Sequence, residues 1–291
     1  MMQAITAFLE YFAHVFDTVD CRWERDRTAR GLATLLVIVF GLSLVAIGLN
    51  RAGLLPAPLS GIIPLNPFHA VNMAFTLLLL QEVMVLILVL PKSFSRSVVK
   101  QFEILALILL RSCFKELANI HEPLVFPDDM AALLRIGSDG AGAVVVFVLL
   151  AFLLRAGKSR SRGGNGVNLY YFVLTKKILA LMLLCVFTGL GVYNLWLGMT
   201  GRAMFDFFTV FYTVLIFSDI FIVLVAQRYR PCFVEVFRNS GLALSTVFIR
   251  LALSAPAYYN AAMGVAAAAF ALCIAMAYNY FDSGHLVARR E

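Results

Sequence analysis

Charge is scarce in this sequence of 291 residues: 14% of its side chains are Asp, Glu, Lys or Arg, while 62% are apolar. A soluble domain is nearer a quarter charged and half apolar, so soluble enzymes, nucleic-acid binders and disordered scaffolds are disfavoured. Cysteine is also sparse. Cys21, Cys113, Cys185, Cys232 and Cys273 contain no CxxC pair, which argues against a disulfide framework or a thiolate metal site. In apolar segments such residues behave as small hydrophobes. The four histidines, His14, His69, His121 and His285, fall at ends or loops, and none forms the intramembrane pair that a bis-histidine haem needs. Phosphate-binding glycine loops are missing; Gly163–Gly166 lacks the lysine and the preceding strand, and reads as a flexible link. Asp282, Ser283 and His285 are neighbours in sequence, which is not triad geometry. No enzyme, cofactor or metal centre is expected.

What is present is long apolar runs. Eight can be marked: Gly31–Asn50, Ala70–Leu90, Val98–Leu117, Ala131–Leu154, Tyr171–Leu197, Phe205–Ala226, Val234–Ala255 and Ala261–Phe281. Each is close to the roughly 20 residues that a helix needs to cross a bilayer. Barrel strands would be about half as long and would alternate. The expected fold is therefore all-α: a polytopic transmembrane bundle of about eight spans, with no room for a soluble domain. Residues 1–30 form an N-terminal amphipathic helix and basic segment, because Ile5, Phe8, Leu9, Phe12, Phe16 and Val19 share one helical face opposite Glu10, His14 and Asp17. With no basic leader this is not a conventional signal peptide; the helix lies in the membrane interface or packs on the bundle.

Lys and Arg set the orientation. Arg22, Arg25, Arg27, Arg30, Lys92, Arg96, Lys100, Arg155, Lys158, Arg160, Arg162, Lys176, Lys177, Arg228, Arg230, Arg238, Arg289 and Arg290, eighteen residues, fall on one side; Arg51 and Arg202 fall on the other. By the positive-inside rule both termini are expected in the cytoplasm.

An internal repeat is visible. Thr76 and Glu82 in the second run match Thr213 and Asp219 in the sixth at an offset of 137, and Leu105–Arg111 matches Leu244–Arg250 at 139. Residues 31–155 and 171–281 then form two four-helix units, joined by a basic, Gly-rich linker at 156–170 and followed by a tail at 282–291. Four crossings per unit give both the same orientation, a parallel duplication.

Ionisable side chains inside a span cost roughly 3 kcal/mol and point to function. They are Glu82 with Gln81 beside it, Glu103, Arg111, Lys115, Arg135, Asp206, Asp219 and Arg250. Lys100, Glu103, Arg111 and Lys115 share one face of the third helix, so that stripe should meet protein or water. The expected partners are Glu82 with Arg111 and Asp219 with Arg250, from neighbouring helices. Too few arginines recur at regular spacing for a voltage sensor. His121, Glu122, Asp128 and Asp129 read as a solvated loop, and Gly189, Gly191 and Ala266–Ala269 as helix-packing surfaces.

These residues point to a protein that moves an ion, proton or small solute across a bacterial-type inner membrane. Glu82, Arg111, Asp219 and Arg250 lead the candidate sites, followed by Gln81, Glu103 and Lys115. The alternative is a non-catalytic subunit that assembles or anchors a larger membrane complex. The expected partners are the lipid bilayer and a homo-oligomer or other membrane subunits, not nucleic acid.

Overall fold

The computed structural model describes residues 2–23, 25–54, 56, 63, 65–116, 130–156, 166–229 and 233–287, without the side chains of 2–9, 26, 94, 166–169, 229 and 282–287. Among these residues there are nine helices and no strand: α1 (Met2–Trp23), α2 (Asp26–Arg51), α3 (Phe68–Val89), α4 (Phe94–Glu116), α5 (Met130–Ala156), α6 (Gly166–Met199), α7 (Phe207–Tyr229), α8 (Phe233–Ser254) and α9 (Tyr259–Val287).

Among the described residues, each of the eight apolar runs falls on one of α2 to α9 to within two residues at its ends. Seven of these helices are long and apolar enough to cross a membrane. The exception is α4, whose 23 residues include Arg96, Lys100, Glu103, Arg111, Lys115 and Glu116. It is nonetheless packed inside the bundle, against α3, α5 and α8. Its buried face is Val98, Phe102, Leu105 and Leu109, and those contacts offset charges that an isolated helix would leave facing lipid.

Helices α6 and α9 extend past their apolar runs, to Gly166 and Val287. Hydropathy marks only the stretch that meets acyl chains, whereas backbone hydrogen bonding continues into the polar layer. The expected linker and tail are shortened accordingly. Residues 157–165, the acidic loop around His121–Asp129, Cys232, and Arg289–Arg290 lie outside the described residues.

Sequence neighbours pack in order, α2 on α3, α3 on α4 and α4 on α5, then α6 on α7, α7 on α8 and α8 on α9. Across the two series, α4 packs on α8 and α5 on α9. The last pair runs parallel: the Tyr258 hydroxyl donates to the Ala131 carbonyl, and Asn279 Nδ2 to that of Ala156 at the far end. Gly142 makes this contact close, because a Cβ there would meet the Cβ of Ala261 at 2.7 Å.

α2 and α6 end alike. Gly53 and Gly201 adopt φ of 68° and 69°, and the amides of Leu54 and Arg202 reach back to the Leu49 and Leu197 carbonyls. That is the glycine-dependent 6→1 stop that satisfies otherwise orphaned carbonyls.

The apolar core divides in two. One cluster joins α4, α5, α8 and α9 through Phe102, Leu105, Val146, Ile249 and Ala267. The other joins α1, α3, α6 and α7 through Phe16, Val83, Ile87, Leu183, Phe211 and Leu215. α1 is thus part of the bundle. Phe16 anchors it, Tyr170 donates to Glu10 at 3.0 Å, and Lys177 pairs with Asp17 at 2.7 Å. Both pairs are separated by 160 residues, so α1 runs parallel to the start of α6. The polar side chains expected opposite the buried face are the ones that bind α6.

Candidate functional site

The two apolar clusters meet along a seam, and the four leading intramembrane charges, Glu82, Arg111, Asp219 and Arg250, lie in it. Both acids project from the α3/α7 cluster and both arginines from the α4/α8 cluster. Glu82 on α3 pairs with Arg111 on α4, the Arg111 Nη1 donating to Glu82 Oε1. Asp219 on α7 faces Arg250 on α8, with Nε to Oδ2 at 3.7 Å. The expected partners are thus brought together in both cases, by helices antiparallel to one another.

Their surroundings differ. Arg111 is about a quarter exposed and opens on a cleft of about 270 Å³, lined also by Thr76, Ser112, Lys115, Asp206, Tyr212 and Ser254. The cleft lies where α4 and α8 finish and α7 begins. Arg250 is 0% exposed and Asp219 4%. The Arg250 Nη2 donates to Gln101 Oε1 at 3.2 Å, while its Nε and Nη1 have no hydrogen-bond partner. Asp219 Oδ2 accepts from the Thr246 hydroxyl at 3.0 Å. A buried pair held this loosely recovers little of its desolvation cost.

A second, smaller cavity lies towards the Lys/Arg-rich end. Its volume is about 20 Å³, room for about one water molecule. Asp219, Thr246, Gln101, Ser97 and Lys176 line it. Lys176 is buried, its Nζ donating to the Lys92 carbonyl at 2.8 Å and lying 5.2 Å from the Phe172 ring centre. Cleft and cavity are walled by the same helices, α4, α7 and α8, with α3 in the cleft and the residue after it, Leu90, in the cavity. On α8, Ser254 in the cleft and Thr246 in the cavity stand one turn either side of the buried Arg250. Tyr212, buried below the cleft, is close enough to sense the charges of both Arg250 and Asp206.

The remaining candidates are placed less centrally. Lys115 is exposed at the cleft rim. Glu103 pairs with Lys100 at 2.6 Å, on the outside of α4 and away from the seam. The charged stripe therefore splits, its upper half in the cleft and its lower half at the surface. Gln81 is half-buried and borders neither space. Arg135 faces Glu116 at 3.7 Å. Asp206 caps α7, its carboxylate accepting from the Thr209 amide and hydroxyl, the role Asp ordinarily takes there.

Sequence reasoning missed several polar residues of the seam, Gln101, Lys176, Tyr212 and Thr246, and also Asp139, buried on α5. In the sequence Lys176 counts only among the eighteen Lys and Arg that set the orientation. Asp139 carried the same signal as its fellows, a carboxyl inside an apolar run, in Ser138-Asp139-Gly140.

Fold and composition together define a multi-pass helical membrane protein. No protein-family model, no curated protein and no solved structure matches the chain.

Proposed function

We propose that this protein moves an ion, proton or small solute across the membrane along the seam between its two apolar clusters. The observation that carries the reading is the line of polar side chains running from Lys115 and Asp206, through Glu82–Arg111 and Asp219–Arg250, to Lys176. Arg250, buried between cleft and cavity, touches Gln101 and faces Asp219 on the cavity side. Polar groups at membrane depth are retained where they line a path or pocket, and acids on one wall facing arginines on the other allow the walls to part and close. The eighteen-to-two distribution of Lys and Arg supports placing the cavity end, and both termini, in the cytoplasm of a bacterial-type cell. The matching order of packing, the parallel α5 and α9, and the glycine stops of α2 and α6 support a parallel duplication of one four-helix unit.

The test is flux. The purified chain in proteoliposomes, under imposed gradients of H⁺, Na⁺, K⁺ or Cl⁻, should pass one of these above the rate of protein-free vesicles. Glu82→Gln, at the partly open pair, should lower that flux about tenfold, the effect of roughly 1.4 kcal/mol on a barrier, with unchanged elution and only a small drop in melting temperature. Wild-type flux in Glu82→Gln rejects the path. The alternative, a non-catalytic subunit of a larger complex, has α1 as its handle. It predicts no flux from the isolated chain and loss of co-purifying partners when α1 is trimmed.

A further inference from the structure

Asp139 stands apart from the seam, and among the described residues no cation pairs with it. It lies about a third of the way along α5 and is 1% exposed, with Oδ1 lacking any hydrogen-bond partner. Ser112 from α4 and Asn260 from α9 face it within hydrogen-bonding reach. The ionisable groups around it are Cys113 and Glu116 on α4 and Arg135 one turn away on α5; α9 brings only Asn260 among the described residues. Arg135 is turned to Glu116, and the Cys113 thiol donates to the Leu109 and Ile136 carbonyls.

Only the neutral groups of Ser112 and Asn260 support a negative charge on Asp139, and Glu116 opposes one. An unpaired carboxylate in apolar surroundings costs several kcal/mol, whereas a neutral carboxyl escapes that penalty and gains an O–H to donate. Ser112 also lines the Glu82–Arg111 cleft, so one residue touches both that space and the buried acid. A hydroxyl both accepts and donates. A proton taken from cleft water onto Ser112 Oγ is matched by the proton Ser112 gives to an Asp139 oxygen, and release reverses both transfers.

We propose that Asp139 is a proton-binding site served from the cleft through Ser112, and that movement of cargo along the seam is coupled to that proton. The second half rests on the transport reading; the first does not.

Dicyclohexylcarbodiimide, which modifies protonated carboxyls in apolar surroundings, separates the two. With the purified full chain, peptide mapping should find the adduct on the segment containing Asp139 at neutral pH. Asp139→Asn should remove it, and Ser112→Ala should slow it. In vesicles loaded with a pH-sensitive dye, the wild type should acidify the lumen under an inward proton gradient. Asp139→Asn should abolish that signal while keeping the wild-type elution and melting. Absence of label at Asp139, or protection by Na⁺ alone at fixed pH, overturns the proton site. Undiminished proton entry in Asp139→Asn overturns the coupling. A labelled Asp139 in a chain that moves none of the tested ions overturns the transport reading and leaves the proton site standing.

Discussion

Three glycines offer a graded test of how the two halves are held together. At Gly142 on α5, an added Cβ would sit 2.7 Å from Ala261 Cβ and 3.2 Å from Ala261 Cα on α9. Those atoms belong to the backbone or are fixed to it, so α5 and α9 must separate. Overpacking of this kind costs about 1–3 kcal/mol, here at the upper end. Alanine returns up to about 1 kcal/mol in helix propensity, leaving a net loss near 2 kcal/mol for Gly142→Ala. At Gly241 on α8 the new Cβ would meet Ile274 Cδ1 at 2.8 Å, Cγ1 at 3.0 Å and Cγ2 at 3.3 Å, all atoms of one side chain that can turn without moving the backbone. A shifted rotamer costs about 1 kcal/mol, so Gly241→Ala should be near neutral. At Gly137, on α5 itself, nothing lies within 4 Å, and Gly137→Ala should gain slightly. At about 2 °C per kcal/mol for a long chain, melting in detergent should fall by about 4 °C, stay level, and rise by about 1–2 °C respectively. A Gly142→Ala protein that melts with or above Gly241→Ala would refute the close parallel packing of α5 on α9.

The two ion pairs should respond unequally to the loss of an acid. Asp219→Asn strands a fully buried guanidinium and should cost about 3–5 kcal/mol. Glu82→Gln leaves Arg111 open to the cleft and should cost well under half of that, so equal destabilisation in a denaturation series speaks against the burial described. The Asp219→Asn/Arg250→Met double variant should recover much of the loss; no recovery means that the pair is not the unit. Phe16→Ala, which empties a buried site under α1, should cost about 3–5 kcal/mol and speed proteolysis of α1. Asp17→Asn, at a pair exposed on the surface, should cost no more than about 1 kcal/mol. In single-cysteine versions, a charged maleimide should modify exposed Cys21 in vesicles with the Lys/Arg-rich end outward but leave half-buried Cys113 slow. Modification of Cys21 only in the opposite orientation would reverse the assignment of sides.

Most of the bundle was legible because its determinants are local. Twenty apolar residues in a row mark a helix wherever its neighbours stand, and the match of Thr76 and Glu82 to Thr213 and Asp219 marked both acids. The arginine partners followed from one more step, the reach of a long side chain between adjacent helices. What was not legible depends on the third dimension. No spacing says that Glu103 turns to Lys100 on the surface while Arg111, two turns on, enters the cleft. No spacing says that Lys176, one of the eighteen orientation-setting charges, folds back under Lys92. Gln101 was hidden by its neutrality, although it supplies the acceptor that the Arg250 Nη2 uses. Asp139 needed no structure at all.

Lys176 and Lys177 are consecutive. The first lines the inner cavity, and the second pairs with Asp17 on α1. Adjacent residues of one helix thus tie the amino-terminal rod to the wall of the polar seam.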